Sequence, residues 1–98
     1  MAKGYWVVHV EVSDMAIYQT YRDNVGAVLA EFGGRFIVRA GTQTVVEGAA
    51  RPRCVVIEFP DLKAATDCYH GPAYQALVQT RLAAASADLV IVEGWDAP

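Results

Sequence analysis

The sequence predicts an α+β sandwich in which one antiparallel sheet carries its helices on a single face. Three observations lead there. Valine-rich runs and helix-spaced runs follow one another as β-α-β and again β-α-β, two similar halves of the size such units need. Aspartates stand where each helix begins, at Ser13-Asp14 and at Asp61. Alternation along the strands leaves a second sheet face that is apolar yet set with charges. The 98 residues read as one domain, 1–98.

Tyr5–Val12 is the first strand, valine-rich with aromatics at its head. Ser13-Asp14 then offers a short oxygen-bearing side chain to the free N–H groups of a helix start. Tyr18, Tyr21, Val25, Val28, Leu29 and Phe32 keep the spacing of one helix face, with Gln19, Arg22, Asp23 and Glu31 on the other. Gly33-Gly34 stops that helix. Arg35–Ala40 is the second strand, Gly41 marks a bulge or kink, and Thr44–Glu47 reads as a further short strand. After a turn at Gly48–Pro52, Arg53–Phe59 forms the third main strand and ends at Pro60. Asp61 caps the next helix, whose inward residues are Leu62, Ala65, Cys68 and Tyr69. His70-Gly71-Pro72 interrupts it, Pro72 suits the first turn of a new segment, and Tyr74, Leu77, Val78, Leu82 and Ala85 continue the apolar stripe. Asp88–Glu93 is the last strand and Gly94–Pro98 a tail. With antiparallel pairing between halves and right-handed crossovers, this order gives the ferredoxin-like βαββαβ sandwich.

Period-two reading places Trp6, Val8, Val10, Val12, Val55, Ile57, Phe59, Phe36, Val38, Val90 and Val92 under the helices. The open face then holds Tyr5, Val7, His9, Glu11, Cys54, Val56, Glu58, Ile37, Arg39, Leu89, Ile91 and Glu93. Such a face is too apolar for water and too charged for a core. A second copy of the chain is the expected cover, giving a homodimer through the open sheet face. Composition agrees: 54% of residues are hydrophobic and only 19% charged, against about 25% charged in ordinary domains. The 16 alanines account for part of that excess.

The net charge is −3 and the basic residues are scattered, which is no footprint for nucleic acid. Apolar runs such as Cys54–Ile57 and Leu89–Val92 are strand-length, far short of a membrane span. Met1–Tyr5 has no signal-peptide core, and Cys54 and Cys68 have neither metal nor redox spacing. A cytoplasmic setting with reduced thiols is expected.

The chain resembles the DUF1330 family along nearly its whole length. The likeness rests on Lys3-Gly4-Tyr5-Trp6, Tyr18-Gln19-Thr20-Tyr21, Gly33-Gly34-Arg35-Phe36-Ile37-Val38-Arg39, Glu47-Gly48, Val55-Val56-Ile57-Glu58-Phe59-Pro60, Tyr69-His70-Gly71-Pro72-Ala73-Tyr74 and Glu93-Gly94. Ala40-Gly41 departs from the Gly-Gly often found there. The resemblance implies a dimeric α/β barrel whose two sheets face each other, and brings no mechanism. Wider relatives of that architecture include cofactor-free monooxygenases, haem-degrading enzymes and lactone isomerases, so fold alone does not choose a function.

Two groups of residues are candidates for chemistry. His9, Arg39, Glu58 and Glu93 form a polar set expected on the shared face, either as acid–base groups with an anion clamp or as an ion network fixing dimer register, the commoner use. Trp6, Tyr18, Tyr21, Phe59 and Tyr69, with Phe36 and Tyr74 nearby, are candidates to line a pocket for a flat ligand, although filling a core is the more frequent role of such rings. No phosphate loop, nucleophile elbow or dinucleotide fingerprint occurs, and nothing calls for a metal or cofactor. The reading is a structural or small-molecule-binding module without established catalysis. A cofactor-independent enzyme of the oxygenase or isomerase kind, acting on a small aromatic or anionic metabolite, is the alternative.

Overall fold

The computed structural model describes residues 2–97. Its elements are β1 (Gly4–Val12), α1 (Met15–Ala30), β2 (Arg35–Arg39), β3 (Arg53–Phe59), α2 (Leu62–His70), α3 (Pro72–Ala84) and β4 (Ala85–Glu93). Both aspartate caps form: Asp14 accepts from the Ile17 N–H at 3.1 Å and Asp61 from the Ala64 N–H at 2.7 Å. Each bond satisfies a donor that a helix start leaves free. After α1 the chain turns through Gly33 at φ +74°, a conformation open to a residue without a Cβ. Pro72 opens α3 directly after the α2 break at Gly71.

The strands lie in the order β2-β3-β1-β4 with every neighbour antiparallel, the ferredoxin-like βαββαβ arrangement. Helices cover one face. Trp6, Val8, Val10, Val55, Ile57 and Phe59 project into the layer between sheet and helices, where Tyr18, Val25, Leu29, Cys68, Tyr74 and Val78 meet them. Ala84 joins the two halves. Its carbonyl accepts from the Ser13 N–H, the Ser13 hydroxyl and the Asp14 N–H, which ties the start of α1 to the end of α3.

Four expectations are corrected. The β4 faces are reversed: Leu89 pairs with Val8 and Ile91 with Trp6, so these two point to the core. Val90 and Val92 lie on the open face, 56% and 46% exposed. Leu89–Val92 has no polar residue to set its phase, and the chain enters β4 straight from α3, so pairing with β1 decides it.

In β2 a bulge between Phe36 and Val38 shifts the register. Val38 then pairs with Val56 and turns outward, while Arg39 pairs with Val55 and turns beneath the helices. Thr44–Glu47 is not a strand; residues 41–52 form an irregular arm, entered through Ala40 at φ 54°. On α3 the inward stripe is Tyr74, Val78, Arg81 and Ala84, with Leu82 turned to solvent.

The open face remains apolar with a different membership. Val7, Val38, Val56, Val90 and Val92 are its apolar residues, among Tyr5, His9, Glu11, Glu58 and Asp88. No helix among the described residues is long and apolar enough to cross a membrane.

Candidate ligand cleft

A narrow cleft opens between the sheet and helices α1 and α3, about 450 Å³ of open space with its mouth included. β1, β3 and β4 supply an apolar floor of Trp6, Val8, Val10, Val55, Ile57 and Leu89. Tyr18, Tyr21, Arg22 and Val25 stand at i, i+3, i+4 and i+7 on α1 and form one wall. Phe36, Arg39, Arg53 and Arg81 complete the lining. Four of the chain's six arginines thus converge here, without an aspartate or glutamate among the lining residues.

Each arginine arrives by a separate route. Arg53 shares the alternation phase of Val55 and Ile57 on β3 and lies 5.5 Å from the Tyr18 ring centre. Arg39 is turned in by the β2 bulge, covers the Phe36 ring at 4.1 Å and donates to the Arg22 carbonyl at 3.2 Å. Arg22 is half-buried rather than on the outer side of α1, its Nη1 donating to Gln19 at 3.4 Å. Arg81 is only 5% exposed. The Nε atoms of Arg22, Arg53 and Arg81 are buried without a hydrogen-bond partner.

Behind this wall the Tyr21 and Tyr74 hydroxyls share a 2.8 Å hydrogen bond. Burial, and then the neighbouring Tyr74, push the Tyr21 hydroxyl far above the ordinary phenol value. Burial also raises Tyr74, opposed by its bond to Tyr21 and by Arg81. Both hydroxyls are protonated at neutral pH, and one donates to the other.

Of the aromatic residues expected to line a pocket, Trp6, Tyr18 and Tyr21 do so. Phe59 and Tyr69 sit behind Trp6, their rings 5.3 and 5.8 Å from it, and hold it in place with the indole N–H bond to the Ala65 carbonyl at 2.9 Å. The expected polar set separates. Glu58 stays on the open face, away from the other three, and accepts from the Tyr5 hydroxyl at 3.0 Å and from Arg35 at 2.9 Å. These two bonds, Arg35's first, hold the Glu58 carboxyl below its ordinary value. His9 is four residues along β1 from Tyr5, roughly 13 Å at the usual strand rise, so it does not meet Glu58.

His9 instead lines a hollow beneath the 41–52 arm, with Glu11, Asp88 and Arg51. Arg51 reaches Asp88 at 3.0 Å and Glu11 at 3.6 Å. Arg39 belongs to the cleft, and Glu93 pairs with Gly4 on the helix side of the sheet.

No motif in the sequence marks Arg22, Arg53 or Arg81 as cleft residues. Strand phase at Arg53 and the Tyr74-Val78-Arg81 spacing carried a signal for two of them. Cys68 is buried, and burial with help from Glu31 raises its thiol to about 11. No group of three His, Cys, Asp or Glu residues among those described is placed to hold a metal ion.

The chain belongs to the DUF1330 family, a domain of unknown function whose family model matches residues 3–95. No curated protein matches it. Among solved structures it is similar to a protein of unknown function from Rhodopseudomonas palustris, at 16% identity and TM-score 0.78 over 98% of this chain and 85% of that one. It is also similar to SnoaB, a cofactor-independent oxygenase from Streptomyces nogalater, at 13% identity and TM-score 0.65 over 99% and 97% of the two chains. A third, a DABB-family protein with a ferredoxin-like fold from Mesorhizobium loti, has 15% identity and TM-score 0.64 over 100% of both. Identities this low establish a shared fold and nothing about activity.

Proposed function

We propose that the chain is a homodimeric binding module, joined through its open sheet faces, that holds a small molecule in the cleft between sheet and helices. The cleft carries this reading: concave, aromatic-walled, mostly apolar and supplied with a few convergent polar groups, it has the make-up of a ligand site. Dimerisation is supported by Val7, Val38, Val56, Val90 and Val92 on the uncovered face. The row formed by Arg35, Glu58 and Tyr5 crosses that face and would fix register against a second sheet. The reading takes residues 1–98 as one domain, and the free cysteines suit a reducing, cytoplasmic setting.

Native mass spectrometry of the chain purified from cells tests the site. A small-molecule mass increment is expected, absent from a folded Val8→Phe variant whose larger side chain fills the floor. An increment that survives in that variant, or none in either, counts against the cleft.

Catalysis without a cofactor is the second reading, favoured by the Tyr21–Tyr74 hydroxyl pair and Arg81 beside the cleft. A protonated phenol next to a guanidinium can donate a hydrogen bond to developing negative charge. SnoaB, which shares the fold, is a cofactor-independent oxygenase. Turnover of the bound molecule, lost in Tyr21→Phe while binding persists, would select this reading.

A further inference from the structure

We propose that the cleft's ligand is an organic acid, a flat apolar body whose carboxylate is held by the guanidinium groups of Arg81, Arg53 and Arg22. This deepens the cleft reading above and rests on it. The chain has more acidic than basic residues, 11 against 8, so carboxylates are not scarce. Outside the cleft, Arg35 and Arg51 each find one. Inside it, no carboxylate pairs with Arg22, Arg39, Arg53 or Arg81 among the described residues. The Nε atoms of Arg22, Arg53 and Arg81 are left without partners, Arg81 being 5% exposed.

A buried cation without a counter-charge is strongly unfavourable. Converging arginines that the fold leaves unneutralised are completed by an anion from outside. Nε and a terminal nitrogen form the fork that grips a carboxylate through two parallel bonds, which makes the unused Nε atoms the informative ones. The rest of the lining is apolar or aromatic, and Tyr21's hydroxyl is already engaged by Tyr74. A molecule with one ring and one acid group matches this division of apolar and cationic lining.

Isothermal titration calorimetry with benzoate, its neutral counterpart benzamide and the cation benzylamine tests the inference. Benzoate is expected to bind at least about tenfold more tightly than benzamide, with no binding of benzylamine. Arg53→Gln is expected to weaken benzoate about tenfold and leave benzamide unchanged. Arg81→Lys, which keeps the charge but loses the fork, serves where larger changes at this buried site prevent folding, and is also expected to weaken benzoate. Equal binding of benzoate and benzamide, both blocked by Val8→Phe, overturns the acid while sparing the cleft. Benzoate binding unaffected by Arg53→Gln, Arg81→Lys and Val8→Phe overturns both. Failure of every probe at millimolar concentration overturns the acid inference, and the native mass experiment then decides the cleft separately.

Discussion

Replacing Tyr74 by Phe is expected to cost the fold more than replacing Tyr21, although the two share one hydrogen bond. Tyr74 is fully buried and its hydroxyl serves two neighbours, Tyr21 at 2.8 Å and the Arg81 guanidinium. Tyr74→Phe therefore leaves the Tyr21 hydroxyl and a buried guanidinium each short of a partner. An orphaned buried polar group costs about 1–3 kcal/mol. Tyr21→Phe removes the same bond but leaves Tyr74 with Arg81, so only the net worth of one bond is lost, about 0.5–1.5 kcal/mol. The double variant removes both hydroxyls and should cost less than the sum of the single changes by about 0.5–1.5 kcal/mol, since the shared bond can be lost only once. Each kcal/mol moves the melting midpoint of a domain this size by about 4–8 °C. Urea unfolding of the wild type, both single variants and the double variant gives all four corners at constant protein concentration. A Tyr21→Phe cost equal to or above that of Tyr74→Phe, or strict additivity, would mean that the Tyr74 hydroxyl does not serve both neighbours.

Three other outcomes are expected. In the proposed homodimer, Val90→Asp places a charge on the shared face and should reduce the light-scattering mass from twice 10.6 kDa to 10.6 kDa; Leu82→Asp, on the exposed side of α3, should leave it unchanged. Because Glu58's folded-state pKa lies below its ordinary 4.5, its contribution is full above that value and fades as pH falls through the lower, folded one. Urea midpoints measured from neutral pH into this acid window should therefore fall, and Glu58→Gln should flatten that part of the profile. Burial and Glu31 raise the Cys68 thiol to about 11, so iodoacetamide at mildly alkaline pH should modify it only after denaturant is added; rapid labelling in the folded chain would contradict its placement.

The parts of the fold legible in the sequence were those with punctuation. Asp14, Asp61 and Pro72 mark helix starts by local chemistry, and β1 and β3 alternate so that their phase can be read directly. Leu89–Val92 is apolar at every position and has no such phase; long-range pairing with β1 put Leu89 and Ile91 inward. The β2 bulge left no sequence mark, yet it moved Arg39 from one side of the sheet to the other. Thr44–Glu47 has strand propensity without a neighbouring strand in this chain to pair with, and propensity alone does not make one. For the cleft, the aromatic half was readable because tyrosines keep helical spacing. The arginine half was not, because residues 22, 39, 53 and 81 come from four elements and meet only through the fold.

Whether the cleft between sheet and helices receives a ligand is decided by nitrogen–proton correlation spectra of the arginine Nε–H groups during a benzoate titration. The Arg22, Arg53 and Arg81 signals are expected to move together and saturate, while those of Arg35 and Arg51, held by carboxylates outside the cleft, stay in place. Movement of Arg35 and Arg51 alone, or of none of the five, would contradict ligand binding in the cleft.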